Sequence, residues 1–89
     1  MINTTREGIY LTIYHIPKRC RKAQYKSFTS DTLEGAISKA KAFLLETGSK
    51  LQSADYQPCT FCDYGNGEIV QMEIFAKRTN IFHLFGGDI

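Results

Sequence analysis

The sequence predicts a two-layer α+β fold, in which one helix packs on one face of an antiparallel β-sheet. Two segments rich in β-branched and aromatic residues precede a region of helical periodicity, and two more follow it. An Asn-Gly pair, the strongest short signal for a hairpin turn, separates the last two segments. The element order is therefore β-β-α-β-β, within a single domain that spans residues 1–89.

The first two strands are predicted at residues 8–16 and 23–29. Pro17 should end the first strand because it has no N–H to donate to a ladder. The two strands then form a hairpin whose tip is PKRCRK, residues 17–22. Alternation along the first strand separates two faces, one with Ile9, Leu11, Ile13 and His15, the other with Tyr10, Thr12, Tyr14 and Ile16.

The helix is predicted at residues 31–48. Asp31 suits the N-cap and, with Glu34 three residues later, forms an Asp variant of the capping box. Gly48 is placed to end the helix in the left-handed conformation. The apolar residues recur at helical spacing and form one stripe, which consists of Leu33, Ala36, Ile37, Ala40 and Leu44.

Residues 54–64 and 68–77 are predicted as the third and fourth strands, joined by a turn at Asn66-Gly67. Pro58 indicates an edge position or an irregular start for the third strand. The turn pairs residues across the hairpin: Tyr64 with Ile69, Cys62 with Gln71, and Phe61 with Met72. The face predicted to lie on the core carries Cys59, Phe61, Val70, Met72 and Ile74.

The C-terminal segment has four large apolar residues within five positions, Ile81, Phe82, Leu84 and Phe85. Such a segment should be buried as a short fifth strand, as a cover over one end of the core, or as a subunit contact. One helix covers only one sheet face, so the second face is left for another contact; it carries Tyr10, Tyr14, Tyr64 and Phe75. Both features are compatible with a homodimer.

Composition argues against a membrane or secreted protein. No window reaches the roughly 18 consecutive apolar residues of a membrane-spanning helix, and the first residues lack the apolar run of a signal peptide. Three cysteines is an odd number, which argues against a disulfide framework and for reduced thiols. We therefore predict a cytoplasmic location.

The net charge of +2 hides an uneven distribution. Residues 1–30 contain six basic residues and one acidic residue, a net charge of +5. Residues 31–89 contain five basic and eight acidic residues, a net charge of −3. If the fold keeps this separation, one end of the molecule attracts polyanions.

The most concentrated charge lies in the predicted hairpin tip, which carries Lys18, Arg19, Arg21 and Lys22, with Lys26 close behind. Such a tip can contact phosphates or an acidic protein surface. The alternative is a solvated hairpin end that discourages edge-to-edge aggregation. Because a surface selected for solubility alone would mix the two signs of charge, we predict a partner-binding site here. Tyr10 and Tyr14 on the adjoining sheet face complete the predicted site.

Nucleic acid is an alternative partner, because tyrosines beside cations can stack on bases. The aromatic signature of RRM domains is absent, and no pattern typical of helix-turn-helix, KH or double-stranded-RNA-binding modules occurs. The low net charge and the lack of a motif favour a protein partner.

A zinc-stabilised domain is a further alternative. Cys59 and Cys62 have the CxxC spacing of zinc ligands, and Cys20, His15 and His83 could complete a tetrahedron. The pair, however, lies in a predicted strand, where residues three positions apart point to opposite faces. No second CxxC occurs, so we predict no bound metal and no cofactor.

No catalytic motif is present in the sequence. The two histidines lie in hydrophobic runs, where a hydrogen-bonded structural histidine is the commoner outcome. A chain of this size also has little room for a pocket of about 300 Å³ or more. We expect a non-catalytic binding protein.

The passage YKSFTSDTLEGAISKA, residues 25–40, leads from the second strand into the helix. In this passage, in size and in element order, the chain resembles the compact α+β accessory proteins encoded by phages and mobile elements, including anti-CRISPR inhibitors. The resemblance implies a protein that blocks a large partner by steric or charge mimicry, without chemistry of its own. It assigns no role to individual residues.

Overall fold

A computed structural model describes residues 4–63, 69–75 and 77–86 of the chain. In chain order the elements are β1 (Thr4–Ile16), β2 (Gln24–Ser30), α1 (Leu33–Thr47), β3 (Lys50–Asp63), β4 (Ile69–Ile74), β5 (Thr79–Asn80) and a 3₁₀ helix (Phe82–Phe85). The strands form one antiparallel sheet in the order β2-β1-β3-β4, and β5 also pairs with β3. Because α1 packs on one face of this sheet, the predicted two-layer α+β fold is confirmed.

Two long strands, β1 and β3, form the centre of the sheet. They pair along their whole length, from Thr4 opposite Asp63 to Ile16 opposite Lys50. Both strands begin earlier than predicted. Their first residues are polar and have little β-propensity of their own, and they become strands because they pair with each other's strand. The molecule measures 48 × 23 × 20 Å, so the two ends of this ribbon are far apart.

The main core lies between α1 and the half of the sheet nearer the β1–β2 turn. Leu11 and Ile13 of β1 are fully buried there. The predicted stripe of α1 faces this core, with Ala36, Ala40 and Leu44 buried and Leu33 and Ile37 packed at its margin. The alanines carry only a methyl group, which lets the helix lie close to the sheet.

The N-terminus of α1 differs from the prediction. Thr32 is the N-cap, and its Oγ1 accepts from the backbone N–H of Gly35 at 3.0 Å. Asp31 instead forms an ion pair with Nε of Arg6 at 3.0 Å, so the predicted Asp31 cap and capping box are wrong. Both residue types can cap a helix, and the arginine on a distant strand decides between them. Gly48 ends the helix at φ 64°, as predicted.

Pro58 lies inside β3, opposite Ile9 of β1, and not at an edge or a strand start. Its carbonyl accepts from the backbone N–H of Phe75 at 3.0 Å, on the β4 side. The N–H and C=O of a residue in an antiparallel strand point the same way, so the missing donor also faces β4. The ladder with β4 ends beside this position, and no bond to β1 is lost. A proline is tolerated in this inner strand for that reason.

The register of β3 and β4 agrees with the predicted hairpin in two pairs, Cys62 with Gln71 and Phe61 with Met72. A register shift follows, where Ile69 pairs with Asp63; the predicted partner Tyr64 lies outside the described residues. The predicted turn at Asn66-Gly67 and the side chain of Val70 lie outside the described residues.

The apolar side of the sheet changes face along the β1–β3 ribbon. Cys59 and Phe61 are buried, as predicted for a core side. Alternation nevertheless places them on the face of Tyr10, opposite to α1. Met72 and Ile74, which should share this burial, are each 38% exposed. Strands twist along their length. In a ribbon as long as β1–β3, the same face can therefore be buried near one end and exposed to solvent near the other.

The C-terminal segment combines two of the three predicted roles. Thr79 and Asn80 form the short fifth strand, and Ile81 and Phe85 then cover the core. Phe82 and Leu84 remain partly exposed on the other side of the 3₁₀ helix. None of the helices in the described part of the chain has the length and apolar character needed to cross a membrane.

Candidate functional site: the cationic tip and the tyrosine face

The cationic tip, residues 17–22, is a tight turn at the end of the β1–β2 hairpin. The backbone N–H of Cys20 donates to the carbonyl of Pro17 at 3.0 Å. Arg19 lies within this turn at φ 69°, the left-handed region that a side chain normally disfavours. The turn therefore holds an arginine in a backbone conformation that would suit glycine better.

The basic side chains of the tip, Lys18, Arg19, Arg21 and Lys22, are exposed. Among the residues that the structure describes, none of these four forms an ion pair. The aliphatic part of the Lys18 side chain lies beside Gly48, at the C-terminal end of α1. Its Cδ is 3.5 Å from the position that a Cβ on Gly48 would take. Its charge is thus near the negative end of the α1 dipole. Arg19, Arg21 and Lys22 carry charge with no such compensation.

The tyrosine face consists of Tyr10, Tyr14 and Tyr25, on the side of the sheet away from α1. Tyr14 and Tyr25 pair across β1 and β2, with ring centroids 6.4 Å apart and planes at 51°. Tyr10 donates to the Oγ of Ser27 at 2.9 Å, which fixes its ring. Tyr25 is 70% exposed, the highest value among the described aromatic residues. Two residues on each side, 15–16 and 23–24, separate Tyr14 and Tyr25 from the tip.

A shallow depression of about 220 Å³ lies on the tyrosine face. The three tyrosines line it together with Thr12, Ser27 and Arg78. Arg78 comes from the segment just before β5, which pairs with β3 and so brings this arginine to the same face. The sequence does not predict this placement, because a two-residue strand has no recognisable pattern.

Two further lysines lie near the tip, on opposite faces of the sheet. Lys26, a predicted site residue, pairs with Ile13 and therefore points to the α1 side, where its Nζ lies 5.7 Å from the Phe43 ring centroid. Lys50 pairs with Ile16, directly before the tip, and is exposed. Lys50 extends the basic surface, and sequence reasoning missed it because β3 begins earlier than predicted.

Arg6 does not belong to this basic surface, although it contributes to the positive charge of residues 1–30. It lies at the opposite end of β1 and bridges Asp31 and Asp63, with Nη1 3.3 Å from Oδ2 of Asp63. The Asp63 side chain is only 4% exposed, so the arginine compensates a buried carboxylate.

His15 is a structural residue. Its Nδ1 lies 3.0 Å from Oγ of Ser49, which lies 2.7 Å from Oγ1 of Thr47. Because Thr47 donates to the carbonyl of Phe43, Ser49 must donate to Thr47 and accept the Nδ1 proton of His15. Burial, and secondarily the charge of Lys26, lowers the pKa of His15 below 6.5. The lowered pKa favours the neutral imidazole, and the hydrogen-bond chain from its Nδ1 runs through Ser49 and Thr47 to the Phe43 carbonyl.

The candidate metal ligands are not brought together. Cys20 is exposed at the tip, His15 is buried under α1, and Cys59 and Cys62 point to opposite faces of β3. Burial raises the pKa of the Cys59 thiol, which opposes the thiolate form that metals bind. Within residues 4–63, 69–75 and 77–86, no group of three metal-ligating side chains forms.

An open apolar groove of about 520 Å³ lies between the C-terminal half of α1 and the 3₁₀ helix. It is larger than expected for a chain of this size. Its lining includes Leu44, Leu45 and Phe85, with Lys41 as its single charged residue.

Comparisons with protein-family models, with curated proteins and with solved structures found no match to this chain.

Proposed function

We propose that this protein is a non-catalytic binding module that docks on an acidic surface of a protein partner. The cationic tip makes the first electrostatic contact, and the tyrosine face supplies the packed part of the interface. Cations at the rim of an interface speed encounter, while tyrosine and arginine side chains supply much of the binding energy.

One observation carries the proposal: uncompensated cations lie close to a tyrosine pair of which one ring, that of Tyr25, is exposed. Arg21 and Lys22 have no acidic partner among the described residues, and Tyr25 is 70% exposed nearby. A solvated hairpin end needs neither an exposed aromatic ring nor a single sign of charge. Arg19 at positive φ adds support, since such strain is concentrated in segments under functional constraint.

A single-stranded nucleic acid is the second candidate partner, favoured by the exposed Tyr25 ring beside the cations. The polar surroundings of the tyrosines, which include Thr12 and Ser27, suit a protein interface equally well. We favour a protein because the net charge is only +2.

We further propose that the protein acts in the cytoplasm as an inhibitor of its partner, in the manner of phage-encoded accessory proteins. Its three cysteines are all free, in keeping with a reducing compartment. Inhibition would follow from occupying an acidic surface that the partner needs for another ligand. A homodimer is compatible with this role, with the partly exposed β4 as one surface available for pairing.

The proposal is tested by affinity capture from a host lysate treated with nuclease. Two variants with the same change in net charge are compared, Arg21→Ala/Lys22→Ala at the tip and Lys39→Ala/Lys41→Ala on α1. We expect a protein partner that survives nuclease, is lost with the tip variant and is retained with the α1 variant. Capture that disappears with nuclease would favour the nucleic acid, and equal capture by both variants would exclude the tip.

A further inference from the structure

Arg78 is the feature of the tyrosine face that the sequence does not anticipate. It follows β4 and precedes β5, so its position depends on the pairing of Thr79 with Tyr56 and of Asn80 with Asp55. This pairing sets it on the same face as Tyr10, in the wall of the depression. A guanidinium thus faces a surface made of phenol and hydroxyl groups.

The charge of Arg78 is not used within the described part of the chain. Asp55, which pairs with Asn80 in the sheet, accepts from Nδ2 of Asn80 at 3.4 Å and forms no ion pair with Arg78. Tyr10 donates to Ser27 within the depression, and among the described residues neither hydroxyl is hydrogen-bonded to Arg78. The guanidinium keeps its donors for a group from outside.

We infer that the depression is a subsite for a carboxylate of an acidic peptide segment, held by Arg78 between the tyrosine rings. Arginine binds a carboxylate through two parallel N–H···O bonds, a geometry that a lysine cannot reproduce. The depression, at about 220 Å³, has room for one acidic side chain and not for a drug-sized ligand. The flanking segment would lie over Tyr25 toward the tip. This inference rests on the proposed function and names the partner's contact group.

The basic residues around the subsite outnumber Asp55, an acidic residue on the same face, and so favour an acidic occupant. Two residues separate Tyr14 from the start of the tip, two separate the end of the tip from Tyr25, and Lys50 lies at the base of the tip. A segment with several carboxylates can therefore meet Arg78 and the tip at once. Such a segment gains from two linked contacts, and each raises the effective concentration of the other.

The test uses two labelled polyanions of similar length, a decaglutamate peptide and decathymidylate, with binding followed by fluorescence anisotropy. For decaglutamate we expect Arg78→Gln to weaken binding about tenfold, and Arg78→Lys to restore little of it. The control variant Lys41→Gln, with the same charge change on α1, should bind as the wild type does. Nitration of Tyr25 by tetranitromethane should slow when the peptide is bound.

The remaining outcomes show whether the carboxylate subsite, the proposed function or both are wrong. If Arg21→Ala/Lys22→Ala weakens decaglutamate binding but Arg78→Gln and Tyr25 nitration are unaffected, the subsite is wrong and docking through the tip stands. If decathymidylate binds in a salt-sensitive manner and decaglutamate does not, both are overturned in favour of a nucleic acid. If neither polyanion binds, the carboxylate subsite is overturned, and capture of a partner decides the proposed function alone.

Discussion

Phe61 packs its ring against Gly8 across β1 and β3, in the space that any larger side chain at that position would fill. The guanidinium of Arg6 lies 5.6 Å from the centroid of the same ring. Phe61 is only 1% exposed, so its ring is fully enclosed at this end of the sheet.

Replacement of Gly8 by alanine is therefore expected to destabilise the fold, because the new methyl group overlaps with the Phe61 ring. Overpacking of this kind lowers the free energy of unfolding by about 1–3 kcal/mol. Urea denaturation measures the change. The exposed change Gln52→Ala serves as control, and Phe61→Leu in the Gly8→Ala background should recover part of the loss. Wild-type stability in Gly8→Ala would contradict this packing.

The helix cap gives a second prediction. Thr32→Ala removes the bond to the N–H of Gly35 and should cost about 1 kcal/mol, within the usual range of 0.5–2. Asp31→Ala removes only an exposed ion pair, with a cost of about 0–1 kcal/mol. Thr32→Ser keeps the hydroxyl and should restore most of the stability. Thermal unfolding of the three variants decides, and a larger loss for Asp31→Ala than for Thr32→Ala would contradict the assignment.

His15 makes stability depend on pH in a defined direction. Its pKa is lowered in the folded protein, so below pH 6.5 the unfolded chain binds a proton that the folded chain resists. Stability from this residue is complete above pH 6.5 and falls as the pH drops from there toward the lowered pKa.

The measurement is urea unfolding at pH 7.5 and pH 5.5. The wild type should lose stability between them, and His15→Asn should lose less while being less stable at pH 7.5. The lower baseline follows from the loss of the edge contact with Phe43, whose ring centroid is 5.0 Å away. His83→Asn, at an exposed position, is the control and should keep the wild-type dependence. If His15→Asn keeps the wild-type pH dependence, His15 is not the residue that causes it.

Arg19 allows stability and binding to be separated. Glycine accepts positive φ without the cost of about 1–2 kcal/mol that a side chain incurs there. It also raises the conformational entropy of the unfolded chain, which offsets part of this gain in stability. Arg19→Gly should therefore be as stable as the wild type or more stable by up to about 1 kcal/mol. Arg19→Ala should gain nothing, and both should weaken capture of the partner. A destabilised Arg19→Gly would show that the turn is not strained.

Features that depend on contacts between residues close in sequence were predicted correctly, and features that depend on distant residues were not. The stripe of α1, the end at Gly48 and the first hairpin rest on contacts close in sequence, and these predictions were confirmed. The Asp31 cap was wrong because Arg6, on a strand distant in sequence, takes this carboxylate. The prediction that Pro58 lies at an edge or a strand start was wrong for a similar reason. The gap between β4 and β5 leaves no strand that needs a backbone donor at this inner position.

The candidate site was predicted in part for the same reason. The tip and the face of Tyr10 and Tyr14 follow from alternation along one strand. Lys26 points to the other face, because the register of β2 against β1 fixes its side. Arg78 and Lys50 reach the site through pairings that depend on the whole sheet, and no local pattern marks them.

Site-specific photo-crosslinking tests the central claim most directly. A photoreactive residue is placed at Arg21 in the tip, at Tyr25 on the tyrosine face, or at Ser38 on the exposed side of α1. The account predicts crosslinks to one partner protein from the first two positions and none from Ser38. Crosslinks from Ser38 alone would place the binding surface on the helix and contradict it.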